Sequence, residues 1–149
     1  MDQILHDHLG FLELPNLCEN WEEVIRDANR EKPSYHRFLT TVIASEYQYQ
    51  TEKRRLSRIK RARIPEPLVM ETFPFVRQPK LDRRKVMDTY DSMRFLTEAQ
   101  VLLFIGPTGC GKTGLATSFL INAINNGYRG RFIDFKDLAD TLEQSIGDR

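Results

Sequence analysis

The sequence predicts an α/β chain in which a helical amino-terminal region is followed by an incomplete parallel-sheet core. Apolar residues recur at helical spacing through the first third. The apolar run Val101 to Ile105 lacks polar alternation, as expected of a strand buried on both faces, and it leads directly into the glycine-rich stretch Gly106 to Thr113. The composition agrees: 149 residues, 40% hydrophobic and 29% charged, suit one ordinary globular unit or two small ones and exclude a collagen, a disordered tail and a disulfide-stapled miniprotein. Three regions follow: residues 1–64, helical and basic towards their end; residues 65–96, a linker and a helix; and residues 97–149, the core.

Ile4, Leu5, His8, Leu9 and Leu12 fall at helical spacing until Pro15 interrupts them, and Leu17, Trp21, Val24, Ile25 and Ala28 form a second stretch ending near Lys32-Pro33. Ser34 can cap a third helix with its hydroxyl. That helix is expected from Tyr35 to Arg63, with Phe38, Leu39, Val42, Ile43 and Tyr47 on one face. At 1.5 Å per residue it would be about 44 Å long, so its basic end should project. Pro65, Pro67, Pro74 and Pro79 mark a linker whose Phe73, Phe75 and Val76 argue that it packs on something. A helix is expected from Asp82 or Arg83 to about Leu96. After the glycine-rich stretch, Leu115, Phe119, Ile121 and Ala123 read as the core face of a helix that ends at Asn126-Gly127. Arg131 to Phe135 reads as a second short strand, and Asp137 as the cap of a last helix carrying Leu138, Leu142 and Ile146.

The net charge of +1 hides a concentration. Lys53, Arg54, Arg55, Arg58, Lys60, Arg61 and Arg63 follow one another without an acidic residue, and the rest of the chain carries a net −6. Such a run is either a solvated helix face or a contact for the phosphate backbone of a nucleic acid. The absence of interleaved glutamates favours the second, with Lys53, Arg54, Arg55, Arg58, Lys60 and Arg61 as candidate DNA contacts that would position the chain without reading sequence. Arg77, Lys80, Arg83, Arg84 and Lys85 form a weaker second cluster. His6, His8 and His36 lack the neighbours of a metal site, and Trp21, Tyr35, Tyr47 and Tyr49 read as packing residues. Cys18 and Cys110 lie in unrelated contexts and are expected as reduced thiols. The start Met1-Asp2-Gln3-Ile4 lacks a basic lead, and the longest apolar run is five residues against the roughly 20 of a membrane helix. A cytoplasmic protein without a membrane partner is the expectation.

Gly106-Pro107-Thr108-Gly109-Cys110-Gly111-Lys112-Thr113 matches G-x-x-x-x-G-K-[ST] in full. A triphosphate is a crowded polyanion that must be wrapped by donors at close range. Gly106, Gly109 and Gly111 let the backbone curl so that successive N–H groups point inward, and the start of the following helix, including Gly114, adds unpaired N–H groups and the positive end of its dipole. Lys112 supplies a cation for the β and γ phosphates, and Thr113 a hydroxyl for Mg²⁺. The alternative is a glycine-rich turn that merely joins strand to helix; it leaves the Lys112-Thr113 pair unexplained. Hydrolysis wants a strand-end pair of carboxylates as well, and the chain offers only Asp134, which reads better as a turn or cap residue than as a metal-side group.

With these residues the chain resembles the IstB-like branch of the AAA+ ATPases, helpers of a transposase related to DnaC-like helicase loaders. The resemblance runs from about Leu12 to Leu142. It rests on Leu14-Pro15-Asn16-Leu17, the arginine-rich helix, Phe73-x-Phe75 with Pro79-x-Leu81-Asp82-Arg83, the glycine-rich loop with Leu115-Ala116, and Gly127-Tyr128-x-x-Arg131-Phe132. It implies an AAA+ core that binds ATP with Mg²⁺, assembles on DNA and recruits or stimulates a transposase. Cys110 stands where a threonine is common and Gly114 where a histidine is common. The acidic metal-side motif, the sensors and the arginine finger of the family are missing. The chain is therefore expected to be the front half of a truncated or split ATPase, whose partners would include its missing carboxy-terminal half or further copies of itself. Two alternatives stand beside the transposition helper: a non-enzymatic DNA-binding or protein-interaction module with a vestigial loop, and a DnaC-like helicase-loading factor.

Overall fold

A computed structural model describes residues 1–147 and contains eight α-helices and two short 3-10 turns. The chain divides into two compact units, residues 1–54 and 55–149.

In the first unit, α1 (Gln3–Phe11) starts where the Asp2 carboxylate accepts the Leu5 N–H at 2.7 Å. Pro15 opens the next helix instead of merely ending the first: α2 (Pro15–Glu19) has it at the first turn, where its missing N–H costs nothing. Leu14 gives this helix no side-chain cap, and the Leu17 N–H instead donates to the carboxylate of Glu46, 29 residues later, at 2.8 Å. Glu46 is 6% exposed and also accepts from Gln50 Nε2 at 3.3 Å, so its charge is buried with partners. The next helix, α3 (Trp21–Glu31), ends at Lys32 in the left-handed region, φ 47°.

Ser34 caps α4 (Tyr35–Arg61) as expected, its Oγ accepting the Arg37 N–H. Twenty-seven residues make a rod about 40 Å long. Its inward row is Phe38, Val42, Glu46, Tyr49 and Gln50, whereas Leu39, Ile43 and Tyr47 from the expected apolar face are exposed, as is Tyr35. One row at four-residue spacing covers the small neighbouring helices, and the adjacent row stays in water.

In the second unit, the proline-rich segment does pack. Met70 and Phe73 are buried with Leu115 and Phe119, and Leu68, Phe75 and Leu81 close around them. Asp82 caps α5 (Arg83–Ser92) by accepting the Lys85 N–H; a left-handed Met93, φ 47°, then breaks the expected single helix and starts α6 (Arg94–Thr97). At the centre lies α7 (Lys112–Asn125). Its Phe119 ring meets Tyr90, Phe95 and Phe104 at centroid distances of 5.3, 5.7 and 5.8 Å.

The parallel sheet is not formed: no strand occurs among the described residues. Residues 101–105 do run beside α7, but one face alone is covered. Leu102 and Phe104 pack against the core, while Val101, Leu103 and Ile105 are 80%, 78% and 92% exposed. A strand exists through a neighbour that takes its N–H and C=O groups, and no described segment pairs with this one. Residues 131–135 are not a strand either: the Phe132 N–H donates to the Ala62 carbonyl at 2.7 Å, and the chain then enters α8 (Phe135–Gly147). This helix begins ahead of Asp137, with the Asp134 carbonyl accepting the Leu138 N–H. Leu138 and Leu142 are exposed; the side chain of Ile146, and Asp148 and Arg149, lie outside the described residues.

Candidate phosphate-binding loop and basic helix

The glycine-rich loop occupies the turn between residues 101–105 and α7. Gly109 and Gly111 have φ +79° and +84°, a region in which an L side chain costs about 1–2 kcal/mol. The two demands differ. A Cβ on Gly109 would meet open space, whereas one on Gly111 would lie 3.2 Å from the Phe73 ring. Gly114, in the first turn of α7, is similarly closed upon, with Leu68 3.3 Å from where its Cβ would be. The aromatic and leucine of the proline-rich segment thus press the loop and the helix start into place. The loop motif itself carries no sign of these two contacts; Phe73 is marked only by standing among prolines.

Gly111 is the N-cap of α7 and the helix has no side-chain cap; the first intrahelical bond runs from the Leu115 N–H to the Gly111 carbonyl. The N–H groups of Lys112, Thr113 and Gly114 therefore lie at an open helix start, where an anion is favoured by both the donors and the dipole. The Lys112 ammonium folds back over the loop. It donates to the Gly106 carbonyl at 2.9 Å and the Pro107 carbonyl at 2.7 Å, and lies 3.8 Å from Cys110 Sγ. Cys110 in turn leans on Gly106, its Sγ 2.9 Å from where a Cβ would stand. Thr108 and Thr113 are exposed. Gly106 to Gly114 are thus held together as one continuous loop and helix start. Open N–H groups at a helix start beside an ammonium are donors that could hold the phosphates of a nucleotide, and Thr113 is the residue whose hydroxyl could reach a magnesium ion bound to such a ligand. No group of three or more metal-ligating side chains occurs among the described residues, and both cysteines are free thiols.

The six candidate DNA contacts do not form one set. Arg55 Nη1 donates to Asn125 Oδ1 at 3.0 Å, and Arg58 Nη1 is 3.8 Å from where a Cβ on Gly127 would stand. These two half-buried arginines sit at the carboxy-terminal end of α7, where cations meet the negative end of the helix dipole, worth about 0.3–1 kcal/mol each. Ile59 is half-buried, and Ala62, which follows the end of α4 and donates its N–H to the Arg58 and Ile59 carbonyls, is fully buried. Lys53, Arg54, Lys60 and Arg61 are exposed, and their spacing of seven residues returns each pair to one face of the helix. The expectation of a freely projecting basic end is corrected: one side of it is docked on α7. No helix among the described residues is long and apolar enough to cross a membrane.

Residues 7–148 match the family model of the IstB-like ATP binding protein. The chain is 30% identical over 145 residues to a protein of Geobacillus stearothermophilus named as the ATP-binding protein of insertion sequence IS5376; the match covers 97% of this chain and 57% of that one. It is 30% identical over 134 residues to the protein so named for insertion sequence IS21 in Pseudomonas aeruginosa, covering 90% and 50%. An IS21-like counterpart in Bacteroides fragilis is 27% identical over 139 residues, covering 93% and 52%. The chain spans about half the length of these curated relatives.

Proposed function

Because the chain belongs to the IstB-like ATP-binding protein family, we propose that it is an ATP-binding, DNA-associated accessory protein of transposition that acts together with a transposase. The observation that carries the nucleotide part is the loop geometry. Two left-handed glycines lead into an uncapped helix start, with an ammonium group folded above them. In this reading Gly106 to Gly111 wrap the β and γ phosphates with their N–H groups. Lys112 exchanges its two carbonyl partners for phosphate oxygens, and the N–H groups of Thr113 and Gly114 complete the cradle. Mg²⁺ held at the Thr113 hydroxyl would offset charge between the phosphates.

The insertion-sequence names of the relatives support the transposition part. The exposed cations Lys53, Arg54, Lys60 and Arg61 support contact with the DNA backbone. Calorimetry with ATP, ADP and AMP in the presence of Mg²⁺ tests the nucleotide part. ATP and ADP should bind and AMP should bind far more weakly, because it lacks the phosphates the loop wraps. Equal affinity for AMP and ATP, or no heat with any of the three, refutes the reading.

A further inference from the structure

Arg129 and Arg131 lie about seventy residues beyond the basic helix, yet the fold brings them to its end. The chain leaves α7 through Gly127, φ +93°, with the Gly127 N–H donating to the Ile124 carbonyl and the Tyr128 N–H to the Ala123 carbonyl, both at 3.0 Å. It is then pinned twice. Gly130 is pressed against α7 so closely that a Cβ there would lie 2.4 Å from Leu120 Cδ1. Two residues on, the 2.7 Å bond from the Phe132 N–H to the Ala62 carbonyl ties the segment to the end of α4. With Gly130 facing α7, Arg129 and Arg131 on either side of it are exposed. Arg131 and Arg63 are the immediate chain neighbours of the two residues that share that bond.

We propose that Arg129 and Arg131 join Lys60, Arg61 and Arg63 in one surface that grips the phosphate backbone of DNA. This rests on the DNA-associated reading above and adds a second, separate chain segment to it. Among the described residues none of these five cations pairs with a carboxylate, so their charge is available to a ligand. Four of the five are arginines, whose planar fork suits phosphate oxygens. The five come from a helix end and a pinned loop held in fixed relation. Such a rigid array matches a stiff polyanion of regular charge spacing better than a flexible acidic peptide, whose ordering would cost entropy.

The test is the salt dependence of binding of the full chain to a fluorescent DNA duplex between about 50 and 200 mM KCl, followed by anisotropy. Each lost phosphate contact lowers the slope of log K against log salt by about 0.9, so Arg129→Ala with Arg131→Ala should lower it by about 1.8. Arg129→Lys with Arg131→Lys should keep the wild-type slope, since counterion release counts charges; a lysine pair as weak as the alanine pair assigns the loss to structure and overturns the proposal. Arg94→Ala, which removes an exposed cation of α6, serves as the charge control, and an equal loss there also overturns it. If Lys60→Ala with Arg61→Ala flattens the slope while the alanine pair at 129 and 131 does not, the proposal falls and the α4 reading stands. If the wild-type chain does not bind the duplex, both fall. Wild-type adsorption to phosphatidylserine vesicles that the alanine pair abolishes, with an unchanged DNA slope, assigns the two arginines to a membrane and likewise overturns the proposal.

Discussion

Replacing Lys112 by alanine removes one ammonium group and little else. In the structure this group is half-exposed and bonded to the Gly106 and Pro107 carbonyls at 2.9 and 2.7 Å. Both of those residues are exposed, so water can take the place of the lost donor, and the stability of the chain should change by no more than about 0.5 kcal/mol. ATP binding is a different matter. A hydrogen bond to a charged group contributes about 1.5–3 kcal/mol, and about 1.4 kcal/mol is tenfold in affinity, so losing the lysine contact to the β and γ phosphates should weaken ATP about 10- to 150-fold. AMP cannot make that contact, and its weak affinity should not move. The assay is calorimetric titration of both chains with ATP and AMP in Mg²⁺, beside a thermal unfolding curve that confirms equal stability. An unchanged ATP affinity in Lys112→Ala would refute the assignment of the ammonium to the phosphates. An equal loss for ATP and AMP would place its effect elsewhere on the nucleotide.

Gly109→Ala should lower stability by about 1–2 kcal/mol, the cost of a side chain at φ +79° in open space, while Gly111→Ala should lose about 1–3 kcal/mol more because the Phe73 ring must shift; equal losses in urea unfolding would dismiss the Phe73 contact. Glu46→Ala leaves the Leu17 N–H and Gln50 without their buried partner and should cost about 1–3 kcal/mol, with Glu46→Gln recovering part of it; a denaturation midpoint unmoved by the alanine change would refute the long-range cap. Burial first, and then the charges of Glu71 and Asp91, raise Tyr90 above its ordinary value near 10. The protonated phenol is therefore favoured by folding: its contribution is complete below about pH 10 and is lost as pH rises through the raised value. Tyr90→Phe should remove that part of the alkaline loss, seen as a smaller fall in the thermal midpoint between about pH 9 and 11; an identical fall in both chains would refute the assignment.

Helix by helix, what could be read along the chain was what short-range contacts control. Ser34 caps the helix that follows it three residues on, Asp82 does the same for α5, and Gly127 ends α7, because each acts through backbone groups one turn away. The glycines of the loop belong to the same class: the positive φ at Gly109 and Gly111 is a conformation that their residue type itself admits. The expected strand does not form for the opposite reason. Five apolar residues in a row report a tendency to be covered, but a strand also needs a neighbour that takes its N–H and C=O groups and a packed layer on each face, and residues 101–105 find cover on one face alone.

Residue types, local caps and the spacing of the loop were thus settled by the order of amino acids, and with them the left-handed glycines and the uncapped start of α7. The tertiary structure decided which cations remain free. Arg55 is drawn to Asn125 and Phe132 to Ala62, each across 70 residues, and Glu46 to Leu17 across 29, so that Arg55 and Arg58 are spent on a helix end while Arg129 and Arg131 arrive beside Arg61 and Arg63. Such pairings depend on the closure of long loops and on the shape of α7 between them, and neither is carried by the residues nearest in sequence.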